Sequence, residues 1–201
     1  MARTLVSTVG LLVVPMLFSC AGCWKGPWFC HGWECPTFTL VNEYEGFEER
    51  YYDTSYWITT DTVSTSEDDV STGFWKLYNF NQWENKEKKL IEMTRPVVMS
   101  LMEAGGMGER QASVSFYQTT PDIPEPNDKT IRVKVVPGCT VYVRSFGGVP
   151  KYDVVMREVK SLKEKVKAAG KQFIGNRFDA AGYDPPWVFV NRHNEVWLHA
   201  L

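Results

Sequence analysis

Apolar and polar positions alternate along Ile131–Val136 and again along Thr140–Phe146, with the breaker Pro137-Gly138-Cys139 between the two runs. A period of two is what a half-buried strand requires, because successive side chains point to opposite faces of a sheet. The pattern predicts an antiparallel strand pair closed by a short Gly-containing turn. The same plan occurs earlier over Phe47–Thr60, where Asp53-Thr54-Ser55 interrupts two strand-like runs. Each pair is followed by a helix-period segment and then by two more strand-like runs. The chain is therefore expected to be one strand–strand–helix–strand–strand unit used twice, the halves spanning about 37–120 and 129–201.

The first helix is predicted to start at Ser66, a good N-cap, with Glu67, Asp68 and Asp69 in its first turn, and to run to about Trp83. Val70, Phe74, Leu77 and Asn81 form one face; Trp75, Tyr78 and Gln82 form a second. One apolar stripe suffices to dock a helix on a sheet. The second stripe is thus either a set of ordinary exposed aromatics or the wall of a ligand groove. A second helix is expected from Pro150 to about Ala169, with Val154, Val155, Val159, Leu162 and Val166 inward and Gly170 ending it. The remaining strands are placed at Phe38–Tyr44, Lys89–Val98 (with Pro96 at an edge or bend), Ala112–Gln118, Phe173–Asp179 and Glu195–Ala200. Gly105–Gly108 reads as a loop tip, and Thr120–Asp128, with three prolines, as an extended link between the halves.

The N-terminus changes the picture of where this fold resides. Arg3, an apolar run over Leu5–Phe18 and the small residues Ser19-Cys20-Ala21-Gly22 predict a signal peptide, residues 1–22, cleaved after Ala21 or Gly22. A lipid-modified Cys20 is the alternative, to which bulky Phe18 is a poor fit. The run is short for a membrane span, so no stable membrane insertion is expected, and the mature chain is assigned to the extracellular space. A formal charge of −2 supplies no basic field to attract nucleic acid. Of five cysteines, Cys20 leaves with the leader. Cys23, Cys30, Cys35 and Cys139 then suggest two disulfides, for which three connectivities are open. A short Cys30–Cys35 loop with Cys23–Cys139 tying the Cys/Trp-rich head, residues 23–36, to the central turn is the expected pairing. The competing readings are a metal site at Cys30, His31 and Cys35, whose spacing fits no zinc pattern, and haem contact through Cys35-Pro36. No Gly-x-Ser-x-Gly, phosphate loop or His-Glu-x-x-His occurs, and Asp184 before Pro185 reads as a turn-former, so the expected activity is binding without catalysis.

Several blocks together resemble the SOUL/haem-binding protein family. They are Glu34-Cys35-Pro36, Phe47–Tyr51, Gly73-Phe74-x-Lys76-Leu77, Met93-Thr94-x-Pro96-Val97, Val141–Gly148, Ala181–Pro186 and Asn194–Trp197. The resemblance implies an α+β fold: a distorted antiparallel β-barrel of about eight strands with two helices packed outside, in a pseudo-twofold ββαββ arrangement over residues 37–201. It is similar in architecture to bacterial small-molecule-binding effector domains, in which an inward carboxylate, here matched by Glu195, selects cationic ligands. The function implied is reversible, non-covalent binding of haem or another porphyrin against the first helix. Phe74, Leu77, Trp75 and Tyr78 match the apolar contacts, and Lys76 is placed to meet a propionate. Tyr51 stands where some relatives carry a histidine proposed to bind iron, and Asn81 and Trp83 stand where relatives usually carry an apolar residue and Gly. His31, His193, His199 and Met93 are the other candidate iron ligands, each read first as a surface or core residue. Two further functions stay open: a module for another amphipathic small molecule, and an extracellular interaction protein with a vestigial haem pocket.

Overall fold

The computed structural model describes residues 24–103 and 110–201. The expected leader, Cys23 and the Gly105–Gly108 tip lie outside the described residues. A short 3-10 turn, Trp28–Cys30, precedes nine strands and two helices. The strands are β1 (Phe38–Tyr44), β2 (Phe47–Tyr52), β3 (Ser55–Thr62), β4 (Val97–Glu103), β5 (Arg110–Gln118), β6 (Ile131–Val136), β7 (Cys139–Phe146), β8 (Arg177–Gly182) and β9 (Asn194–His199). Helix α1 spans Glu67–Asn81 between β3 and β4; helix α2 spans Tyr152–Ala168 between β7 and β8. All nine strands form one antiparallel sheet in the order β1-β2-β7-β9-β8-β4-β5-β3-β6. The sheet curls without closing its hydrogen-bonded ring, so it is a barrel only in the loose sense.

The pairing pattern carries the duplication. Phe47 of β2 corresponds to Ile131 of β6, and Ser55 of β3 to Cys139 of β7, the same offset of 84 positions. Under that offset the β2–β7 pair Glu48↔Val143 becomes the β6–β3 pair Arg132↔Thr59, and both are present. The β3–β5 and β4–β5 ladders likewise match β7–β9 and β8–β9, while β4 and β8 pair with each other across the centre.

Three expectations need correction. First, β2 does not pair with β3, nor β6 with β7; each strand pairs into the other half instead. A two-residue hairpin needs a positive φ in its turn. Neither Asp53-Thr54 nor Pro137-Gly138 has one, so both links turn corners. Gly138 sits close under Tyr51 at its corner: a Cβ there would lie 2.5 Å from the Tyr51 hydroxyl and 3.3 Å from the Tyr52 carbonyl oxygen, so a side chain would have to displace the Tyr51 ring. Second, Lys89–Pro96 is not a strand. The Asn85 carboxamide bonds the Phe80 and Lys89 carbonyls and the Lys89 N–H, the Thr94 hydroxyl donates to the Tyr117 carbonyl, and the ladder starts only at Val97, after a cis Arg95–Pro96 bond. Third, Phe173 makes only an isolated bridge to Ala200, and β8 begins at Arg177.

Three apolar clusters hold the layers together. Tyr52, Trp57, Val98, Val141 and Trp197 fill the inside of the curled sheet, joined by Phe29, Cys30 and Cys35 of the head. On the outer face, α2 buries Val155, Val159, Leu162 and Val166 against Leu101, Phe178 and Leu198. Helix α1 is capped by Ser66, whose hydroxyl accepts from the Asp69 N–H at 3.2 Å. It buries Gly73, Leu77, Phe80 and Asn81 over Ile58, Val114 and Phe116. Each fully buried apolar side chain among these, such as Leu77 or Phe80, is worth roughly 1.5–3 kcal/mol of transfer free energy. The Cys30–Cys35 disulfide closes the head. Among the described residues Cys139 forms no disulfide.

Candidate functional site

Helix α1 reaches the sheet through Leu77 and Phe80, which leaves the adjacent stripe of the helix outside the core. Trp75 projects from it with 54% of its surface exposed. Its ring meets Phe74 edge-on at 5.4 Å and Tyr78 edge-on at 5.3 Å. Beside Trp75 runs a groove of about 620 Å³ between α1 and the loop that leads into β6, floored by Phe80 and Ile131 and flanked by Lys76, Glu84 and Asp128. That loop is the end of the segment read from sequence as a simple link. It returns against the helix because Lys86 N–H bonds the Glu125 carbonyl at 2.9 Å and Asn85 bridges Pro126. Asp128 fixes its tip by accepting the Thr130 N–H and hydroxyl at 2.8 and 2.7 Å. These two bonds, with Lys76 opposite, hold the Asp128 carboxyl below its ordinary range. The ammonium of Lys76 reaches Thr130 across the groove at 3.4 Å. This second wall was not expected from the sequence; the Asp-x-Thr spacing, which favours such a turn, is the signal that could have marked it.

The structure brings some of the sequence-predicted residues together and separates others. Trp75 and Lys76 line the groove. Phe74 and Tyr78 are half-buried, their rings stacked 6.1 Å apart, and both pack on the core beneath α1. Leu77 is fully buried and belongs to that core. Tyr51 is half-exposed on β2, paired with Thr140 and pressed against Gly138, on a strand away from the groove.

The candidate iron ligands all have other partners. His31 Nε2 lies 3.0 Å from Asp184, His193 Nε2 lies 2.9 Å from Glu195, and His199 Nε2 lies 2.6 Å from Asp179. Met93 takes a contact from the Asn81 amide at 3.7 Å.

Glu195 does point inward, and its carboxylate is completely engaged. Oε1 accepts from Arg50 at 3.0 Å and faces His193 at 2.9 Å; Oε2 accepts from the Tyr183 hydroxyl at 2.9 Å and the Trp197 indole at 2.8 Å. Burial alone would raise its pKa, but the His193 bond and the Arg50 charge outweigh that and lower it. Burial also disfavours the Arg50 cation, and Glu195, Tyr52 and Glu48 reverse the effect, raising its pKa. The head seals this network from outside: the Phe29 ring stacks on His193 at 4.0 Å with an interplanar angle of 2°. The cation expected from a ligand at this carboxylate is thus supplied by Arg50. Sequence alone hid the pair, which is separated by 145 positions.

Comparisons with known proteins converge on one family. A family model described as SOUL heme-binding protein matches residues 33–199. Heme-binding protein 2 of Mus musculus is 32% identical over 158 residues, 76% of this chain and 77% of that protein. Heme-binding protein 2 of Homo sapiens is 30% identical over 172 residues, 83% of each chain. Among solved structures, the EcmrR C-terminal domain has a TM-score of 0.58 at 11% identity, covering 77% of this chain and 96% of its own. A hydrolase from Listeria innocua has a TM-score of 0.51 at 9% identity, covering 76% and 90%. At such identities these two likenesses concern the fold alone.

Proposed function

Because the chain belongs to the SOUL heme-binding protein family, we propose that it binds haem or a related porphyrin, reversibly and non-covalently, in the α1 groove without catalysis. The observation that carries the reading is the groove itself. At about 620 Å³ it falls in the usual range for small-molecule sites, roughly 300–1,000 Å³. It also presents an exposed indole where a flat apolar disc needs a wall. Burying one face of Trp75 against a tetrapyrrole supplies apolar contact, and Lys76 lies within the same groove to meet a carboxylate at the ring's edge. With His31, His193 and His199 each held by a carboxylate, binding rests on the ring faces rather than on iron. The test is an absorption titration with haem and with metal-free protoporphyrin: the two dissociation constants are expected to agree within about ten-fold. Tight haem binding with no porphyrin binding would contradict apolar capture.

A second reading is favoured by the groove's charges. Lys76 is accompanied by the carboxylates Glu84 and Asp128, a rim less suited to a dianion than to an amphipathic ligand of neutral or positive charge. The same titration separates the two, since that ligand class leaves the haem spectrum unchanged. The apolar leader supports the further proposal that the protein is secreted and acts outside the cell.

A further inference from the structure

Inside the curled sheet lies a second group of chemistry-bearing side chains, which porphyrin binding at α1 does not use. Cys139 opens β7, Asp179 sits in β8 and His199 ends β9. Cys139 Sγ lies 4.0 Å from His199 Nδ1, and His199 Nε2 lies 2.6 Å from Asp179 Oδ2. Asp179 is buried and is also held by Arg177 at 3.2 Å. A nucleophile, an imidazole and a carboxylate that orients it are therefore arranged in series. Desolvation opposes charge on His199, yet the Asp179 and Cys139 hydrogen bonds prevail and carry its pKa up to about 9. The ring is protonated at neutral pH, and its Nδ1 side faces the Cys139 sulfur, where it can donate a proton to a group bound beside Sγ.

This group lines a cavity of about 50 Å³ whose wall also includes Lys134, Arg177 and Ser100. A water needs about 10–15 Å³ on this measure, so the cavity admits a few water-sized groups and neither an acyl chain nor a porphyrin. A cationic pocket of this size beside a thiol fits a small peroxide.

We propose that Cys139, His199 and Asp179 form a peroxide-reactive thiol site, at which a small hydroperoxide converts the Cys139 thiolate to a sulfenic acid. Sγ attacks the nearer peroxide oxygen, the S–O bond forms and the O–O bond breaks. The sulfur gives up two electrons and the peroxide takes them. The departing hydroxide or alkoxide receives the Nδ1 proton of His199 and leaves as water or alcohol. Asp179 is a positioning residue that holds the ring and its charge, and Lys134 stabilises the departing oxygen. The reaction is stoichiometric and yields a modified residue.

The experiment uses the full chain, exposed to hydrogen peroxide, with the sulfenic acid trapped by dimedone and located by peptide mass. Cys139 is expected to react at least about ten-fold faster than the thiol of glutathione, and His199→Gln to remove most of that advantage. Lys134→Ala, on the exposed edge strand β6, is expected to slow the reaction about two- to five-fold with an unchanged unfolding midpoint. That variant keeps the test valid if the buried His199 substitution impairs folding. Asp179→Asn is expected to move the His199 ring titration, followed by NMR, from about 9 toward about 6.5. The proposal is overturned if Cys139 reacts no faster than glutathione, if Lys134→Ala and His199→Gln both leave the rate unchanged, or if the isolated protein carries a Cys23–Cys139 disulfide.

Discussion

The buried pair Asp179–His199 ties stability to pH with a definite sign. His199 titrates near 9 in the folded chain against about 6.5 unfolded. Its contribution is fully present below pH about 6.5 and is lost as pH rises through about 9. Burial pushes the Asp179 carboxyl up, but the His199 bond and charge dominate and bring it down to about 2. Its contribution is therefore present above about pH 4 and lost only as pH falls through about 2. Both shifts describe one interaction, worth on the order of 2–3 kcal/mol. Urea unfolding is expected to give a flat stability between pH about 4 and 6.5 and a decline of that size by pH about 9.5. His199→Gln is expected to abolish the decline; a wild-type protein equally stable at both ends would contradict the pair. At this scale the sequence was partly legible. Trp75 stood out because an aromatic on the non-docking stripe is conspicuous, whereas Leu77 went to the core because it lies one turn from Gly73, on the face that meets the sheet.

Helix α1 lies close to β3 and β5 because Gly73 allows it. A Cβ there would sit 3.1 Å from the Thr62 methyl and 3.2 Å from a Val114 methyl. Gly73→Ala gains about 1 kcal/mol of helix propensity and must push both methyls aside, so it is expected to be near neutral. Gly73→Leu is expected to cost about 1–3 kcal/mol by overpacking, read as a lower urea midpoint. A Leu variant as stable as the parent would mean that the helix rides higher than described. A strand with clean alternation, such as β6, was legible as an element; its partners were not. Alternation fixes which face a residue takes and says nothing of which strand lies beside it. The Lys89–Pro96 stretch failed for another reason: the Asn85 side chain took hydrogen bonds that a ladder would otherwise have used.

Across the whole molecule the duplication was legible because unit order survives in sequence, while the cross-pairing of the halves is set by two corners that look like hairpin turns. The groove was half legible, its helix wall from periodicity and its loop wall only in three dimensions. For the chain as a whole, the proposed secretion predicts an intact mass lacking the first 21 or 22 residues. A cytosolic protein that retains its leader would contradict it. The central claim is tested most directly by titrating haem into the parent, Trp75→Ala, Lys76→Ala and His31→Ala proteins of confirmed fold. The parent is expected to shift the Soret band to saturation. Trp75→Ala is expected to bind about ten-fold or more weakly, because burying an aromatic ring is worth roughly 1.5–3 kcal/mol. Lys76→Ala is expected to lose about five-fold at most, a rim ion pair being worth about 0–1 kcal/mol. No Soret shift in the parent, or normal binding by Trp75→Ala with binding abolished by His31→Ala, would contradict haem capture on α1.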